Sequence, residues 1–325
     1  LIGHGDSTPS HLYPNDSNTE DTWPEGLAHL TQLGIEQEFK FGQYLRKHYI
    51  DQYTFLSPTY KSYELHVQST DTSRTLMSAT ALLQGLYPSK EAALWDPVPV
   101  HTRPLHKDPM LNMDIPCERF NRGFLAALST EKGKKFVSDN QEFIDFVTGE
   151  AGYANSTINS IWDVYSTLQI EIWNNKSTPS WVTPEVFEHL KLMYWKKFEF
   201  LYHSEDQQKI KGGLFLTETD DTITAVLTAL GIWDRNVPLV GAAVFFEVYF
   251  THVQTYSIRV LYKNDTRTDP FTDPYRVIMP GGVVALSVFS VVFLIGLVSL
   301  FVWCYRRQQQ EVHYQPANFA SEPRI

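Results

Sequence analysis

A run of 24 residues from Gly281 to Cys304 carries no charged side chain. Wound as an α-helix at 1.5 Å per residue, it would reach about 36 Å, more than the roughly 30 Å of a bilayer's hydrocarbon core. A helix buried in a soluble domain is the competing reading, but such helices seldom stay uncharged over this length. Pro280 precedes the run, Trp303 and Tyr305 stand at interface depth at its far end, and Arg306 and Arg307 follow at once. The positive-inside rule then places residues 305–325 in the cytoplasm. Everything before Gly281 is expected on the lumenal or extracellular side of a lysosomal or plasma membrane, with the lipid bilayer as a partner through one helix.

Sequons and cysteines bear on the same topology. Asn-x-Ser/Thr sequons begin at Asn15, Asn155, Asn175 and Asn264, all before the apolar run, and these four are the expected glycosylation sites. The chain starts at Leu1 with no signal-peptide pattern, so an export signal is expected to have been removed or omitted. Of the two cysteines, Cys304 falls at the membrane edge, where palmitoylation is an option, and Cys117 has no lumenal partner for an intrachain disulfide.

With 43% hydrophobic and 20% charged residues, the chain has the composition of a globular protein. Its formal net charge of −10 argues against nucleic acid, which demands a concentrated basic surface. The cluster Lys132-Gly133-Lys134-Lys135 reads as a solvated helix end or loop. Residues 1–30 read as a loop-rich entry, with Pro9, Pro14 and Pro24. Thr31 can cap a helix to about Tyr49, with Ile35, Phe39, Gly42 and Leu45 at helical spacing. Short strands are expected at Leu65–Ser69 and Val98–His101, and a helix from about Thr72 to Leu86.

From Cys117 to His203 helical patterns take over, including Lys134–Val147, Ser160–Trp173 and Pro184–Leu201, which predicts a helical cap inserted into an α/β core. A strand at Gly213–Leu216, a helix over Thr222–Leu230 and a hairpin from Val244–Thr251 and Thr255–Leu261 complete the pattern. The expected organisation is an ectodomain at 1–261 with its cap at about 117–203, a stalk at 262–280, the transmembrane helix at 281–304 and a tail at 305–325. The fold class is α/β, a central mixed sheet flanked by helices.

Near the start, Gly3-His4-Gly5-Asp6-Ser7-Thr8-Pro9 stands out. A histidine in a Gly-rich turn is, by itself, more often structural than catalytic. Here the loop resembles the Arg-His-Gly-x-Arg-x-Pro signature of the histidine acid phosphatases, with Gly3 and Ser7 at the two arginine positions. The resemblance covers nearly the whole ectodomain. Trp23-Pro24-Glu25-Gly26-Leu27-Ala28-His29-Leu30-Thr31 is similar to the family's Trp-Pro-x-Gly segment, and Ser69-Thr70-Asp71-Thr72-Ser73-Arg74-Thr75-Leu76 to its Ser-Thr-Asp-x-Asp-Arg-Thr-Leu block. Thr219-Asp220-Asp221-Thr222 takes the place of its His-Asp-Thr-Thr motif.

That resemblance implies a phosphate monoester hydrolase working through a phosphohistidine, without cofactor or metal. A neutral imidazole attacks phosphorus, an aspartic acid protonates the departing alkoxide, and arginines with a second histidine clamp the equatorial oxygens. Carried over, His4 is the nucleophile, Asp220 the proton donor, and Arg74, Ser7 and Thr219 line the substrate site. Gly3, Ser7 and Thr219 replace two arginines and a histidine, and Ser73 replaces an acid beside Arg74. Ser7, Thr8 and Thr219 can offer hydrogen bonds to phosphate but no charge. Losing one preorganised donor costs about 3–4 kcal/mol, so a weakened enzyme is expected. The alternative is a pseudophosphatase whose ectodomain binds an oxyanion or a partner, a second copy of the chain being one such partner. His101 and His106 lack the neighbours a metal site needs.

Overall fold

Residues 1–9 are stitched into the fold twice. A computed structural model describes residues 1–89, 96–108, 111–112, 116–212, 220–230, 238, 240–250, 256–264 and 275–277. In it, Leu1 and Val244 exchange backbone hydrogen bonds of 3.0 and 2.9 Å, and Ile2 bridges Ala243 in antiparallel register. Beyond His4 the chain pairs again, Thr8 with His29 and Thr31 with Asp6, around an antiparallel Ser7–Leu30 bridge. The stretch read from sequence as loop-rich is thus extended and paired at its start.

Helix α1 (Gln32–Leu45) begins where Thr31 turns its hydroxyl to accept the Gly34 N–H at 3.1 Å. It continues into a π-helical turn over Arg46–Gln52. Helix α2 (Ser73–Leu86) packs on α1 through glycines: a Cβ on Gly42 would come within 1.9 Å of the Leu82 carbonyl, and one on Gly85 within 2.0 Å of that of Phe39. Phe41, Leu45, Leu82, Leu83 and Leu86 fill the seam, with Ala243 against them. The segments expected as strands at 65–69 and 98–101 meet as a parallel bridge, Gln68 to His101. Parallel and antiparallel bridges therefore both occur among the described residues.

Helices α3 (Glu118–Ser129), α4 (Glu131–Asp139), α5 (Gln141–Glu150), α6 (Ile158–Trp173) and α7 (Pro184–Leu201) follow with no strand among the described residues between them. The helix expected over Lys134–Val147 is two, because Asn140 ends one and starts the next; its side-chain amide donates to the Phe136 carbonyl at 2.7 Å. Local capping by Asn competes with helix continuation. Ile144, Val147, Ile161, Tyr165, Leu168, Leu190 and Met193 form a second core. Helices α8 (Glu205–Gly212) and α9 (Asp220–Ala229) precede a sheet of order β1 (Ala243–Phe250), β2 (Tyr256–Lys263), β3 (Tyr275–Val277). Strand β3 falls in the stretch read as a stalk.

The chain divides into two units, Leu1–Phe245 with Leu261–Tyr275, and Phe246–Val260 with Arg276–Ile325. In the second, Arg259 Nε donates to Glu247 Oε2 at 2.6 Å. The strand expected at 213–216 and the apolar run at 281–304 lie outside the described residues; among those described, no helix is long and apolar enough to cross a membrane.

The α1–α2 seam gives a direct test. Gly42→Ala should destabilise by about 3 kcal/mol or more, since backbone blocks the added methyl. Gly149→Ala, on the exposed end of α5 with open space around it, should stabilise by about 0.5 kcal/mol. Urea unfolding followed by circular dichroism measures both.

Candidate active site

The histidine loop is clasped from both sides by backbone. Gly3 N–H donates to the Ala242 carbonyl at 2.8 Å, and Gly241, at φ 69°, donates to the His4 carbonyl at 2.7 Å. Gly5 lies so close to α1 that a Cβ there would meet the Gly34 carbonyl at 2.5 Å. This close approach is the physical need for the glycine after His4. The Gly5 N–H reaches Ser78 Oγ on α2 at 3.2 Å.

Asp6, 1% exposed, ties the loop to two helices, α1 and α6. Its N–H donates to Gln37 Oε1 at 2.8 Å, and its Oδ2 accepts from the Thr31 hydroxyl at 2.6 Å. Its Oδ1 accepts from Asn174 Nδ2 at 3.3 Å, at the end of α6. Burial pushes the Asp6 carboxyl above its usual range, against the pull of the Thr31 and Asn174 bonds.

His4 Nδ1 lies 2.7 Å from the Gly5 carbonyl. A carbonyl can only accept, so Nδ1 carries the proton and Nε2 keeps its lone pair. Burial, and then the Arg74 charge, lower the His4 pKa to about 4, against the Gly5 hydrogen bond. The ring therefore stays neutral well into the acid range. Arg74, half-buried in the first turn of α2, adds its charge to that helix's N-terminal dipole.

The remaining expected residues fare differently. Ser7 is buried in its pairing with Leu30. Thr8 cannot serve as a free donor, because its hydroxyl donates to the Gly26 carbonyl at 2.7 Å. Asp220 opens α9, and Thr219 lies outside the described residues. Asn15, Asn155 and Asn175 are exposed and Asn264 half-buried; Asn15 Nδ2 donates to the Glu150 carbonyl at 3.1 Å. Cys117 is a free thiol. Among the described residues no group of three or more His, Cys, Asp or Glu could hold a metal.

Sequence reasoning missed Asp6, Ser78 and Asn174 as supports of His4. Asp6 carried a signal, an acid inside the motif; Asn174, 168 positions away, carried none. His4 also borders an apolar cavity of about 520 Å³ with Glu38, Val67, Leu82 and Phe245.

The profile of the histidine phosphatase superfamily (branch 2) matches residues 5–219. The chain belongs to this superfamily. It is 31% identical to a lysosomal acid phosphatase of Rattus norvegicus over 303 residues, 83% of this chain and 71% of the relative. A prostatic acid phosphatase of Bos taurus is 30% identical, over 83% of this chain and 77% of the relative. Among solved structures, a phytase from Citrobacter braakii superposes with a TM-score of 0.61 at 13% identity, covering 84% of this chain and 86% of that one, a likeness of fold. The histidine phosphatase-like α/β fold is therefore established, and membership supports a phosphatase-type hydrolase function.

The electrostatics of His4 can be read directly by histidine-selective ¹³C NMR. Its Cε1 resonance should titrate near pH 4. Arg74→Met should move the midpoint upward by removing the positive charge, while burial keeps it below 6.5. A midpoint near 6.5 in the unmodified protein would contradict the buried, charge-facing ring.

Proposed function

We propose that this chain is an acid phosphatase-type phosphate monoester hydrolase with weakened turnover, anchored by residues 281–304 with the catalytic domain on the lumenal or extracellular side. The observation that carries the reading is His4 itself: Nδ1 is fixed by the Gly5 carbonyl, Nε2 is left with its lone pair, and the ring stays neutral to about pH 4. The printed names of its relatives, lysosomal and prostatic acid phosphatases, support the substrate class.

In the first step the His4 Nε2 lone pair forms a bond to phosphorus and the phosphorus–oxygen ester bond breaks. The departing alkoxide takes a proton from the Asp220 carboxylic acid and leaves as an alcohol. In the second step water attacks the phosphohistidine, Asp220 recovers a proton from it, and phosphate leaves with His4 restored. Arg74 and the α2 N-terminus draw the anion in. With Gly3, Ser7 and Thr219 in place of charged or cationic groups, the equatorial oxygens are clamped by fewer charges, and each missing donor costs about 10²–10³ in rate.

Those three replacements also favour a second reading, a pseudophosphatase that binds an oxyanion or a partner and turns nothing over. Glycosylation at Asn15, Asn155, Asn175 and Asn264 belongs to either reading, as does a lysosomal or plasma-membrane location.

Hydrolysis of an aryl phosphate between pH 4 and 7, beside vanadate binding, separates the two. Slow turnover abolished by His4→Ala, and raised at least about 10²-fold by Gly3→Arg/Ser7→Arg/Thr219→His, is expected. The Cβ of Gly3→Arg has room, its nearest neighbour being the Ala242 carbonyl at 3.4 Å. Vanadate binding without turnover would establish the second reading, and turnover indifferent to His4→Ala would defeat the mechanism.

A further inference from the structure

At the C-terminal end of α6, one asparagine holds two carboxyl groups. Glu171 is 0% exposed, and its Oε1 accepts from Asn18 Nδ2 at 2.7 Å. Asp16, in the loop that crosses the helix end, accepts the Asn18 N–H on Oδ1 at 2.9 Å. The other two oxygens, Asp16 Oδ2 and Glu171 Oε2, are buried without a donor among the described residues. Both side chains are thus held on one asparagine, Asn18, with a buried acceptor left over on each. Two carboxylates have acceptors only and repel each other, so a pair gathered on one asparagine with no donor for its spare oxygens is relieved by one proton held between them.

Among the described residues no cation takes the place of that proton. From the loop, the Tyr13 hydroxyl is buried without a hydrogen-bond partner, and burial with the charges of Asp16 and Glu171 pushes its pKa upward. From the segment after α6, the Lys176 ammonium donates to the Thr22 carbonyl at 2.9 Å and lies 4.7 Å from the Trp23 ring centre. Ser177 supplies a carbonyl to Asn18, again neutral. From α5, contact with the loop is through the Glu150 and Ala151 carbonyls, which accept from Asn15. On α6 itself, Asp163 is half exposed and faces His11 at 3.9 Å. Beyond the helix end, Asp6 is bonded to Asn174.

We propose that Asp16 and Glu171 form an acid-dependent latch, in which a shared proton fastens the 13–18 loop to the last turn of α6 and its loss in alkaline solution unfastens it. Burial, and then the Asp16 charge, hold the Glu171 carboxyl up to about 8, and burial raises that of Asp16. The folded state therefore keeps a proton that the unfolded chain releases at an ordinary carboxylate value. Stability from the latch is fully present below about pH 4.5 and is lost progressively as the pH climbs towards 8. The latch stands on these side chains alone and does not depend on turnover at His4.

Thermal unfolding of the full chain at pH 5 and pH 8.5 tests it, with Glu171→Gln as the key variant. The glutamine amide can donate to Asp16 without a titrating proton, so it keeps the link at both values. Between pH 5 and 8.5 the unmodified protein should lose at least about 4 °C of Tm more than Glu171→Gln loses. Equal losses in the two proteins would overturn the latch. If Glu171→Gln does not fold, Asp16→Asn supplies the same arms, its amide donating to Glu171, with the same deciding comparison.

Discussion

The backbone contact between Gly5 and Gly34 sets the geometry on which the site depends. A Cβ on Gly34 would lie 2.1 Å from the Asp6 carbonyl, so the loop after His4 and the first turn of α1 touch with no side chain between them. Only then can the Thr31 hydroxyl accept the Gly34 N–H that starts the helix and also donate to the Asp6 carboxyl. Helix start, loop position and burial of Asp6 are one event. Because α1 is in turn pressed on α2 through Gly42 and Gly85, Ser78 and Arg74 reach the loop from the other side. The precision of His4 rests on glycines more than on large apolar side chains.

What was legible in the sequence follows the range of the forces involved. Thr31 as a cap, the seam residues of α1 and α2, and the long helices Ile158–Trp173 and Pro184–Leu201 are local, fixed by periodicity and by the hydroxyl before the helix. Asn140, splitting one expected helix into two, acts through its own side chain against a carbonyl four residues back, a competition that hydrophobic spacing does not register. The Asn174–Asp6 bond and the Asp16–Glu171 pair join residues more than 150 positions apart, and nothing in either segment alone marks them. The candidate site was legible as a motif at His4 and Arg74, while its supports were not.

The substitutions at Gly3 and Ser7 alter charge without dismantling this frame. Gly3 keeps its bond to the Ala242 carbonyl and Ser7 its place opposite Leu30, both made by backbone. Backbone pairing is indifferent to side-chain charge, so a phosphate-sized anion would meet the family's loop geometry with less positive potential around it. Neutralising groups preorganised in a buried pocket act strongly because the surroundings screen them little. In the proposed phosphatase, loss of charge would weaken the transition state more than the fold, so a chain 31% identical to a relative could keep the architecture while its chemistry drifted.

Acidity ties these features together, and the signs can be weighed. Glu38, fully buried with neither oxygen bonded among the described residues, is raised well above its usual value by burial, and burial raises Asp6, Asp16 and Glu171 as well. Each binds a proton more tightly in the folded state than in the unfolded chain, so each favours the fold in acid and costs stability as the pH rises. His4 has the opposite sign. Its lowered pKa makes the folded state resist a proton the unfolded chain accepts below about 6.5, a cost that grows until about pH 4. Among the described residues, these four acids thus oppose one histidine across the acidic range. The acids thus favour the fold in the pH range where His4, shielded from protonation by burial and Arg74, stays neutral as the proposed chemistry requires.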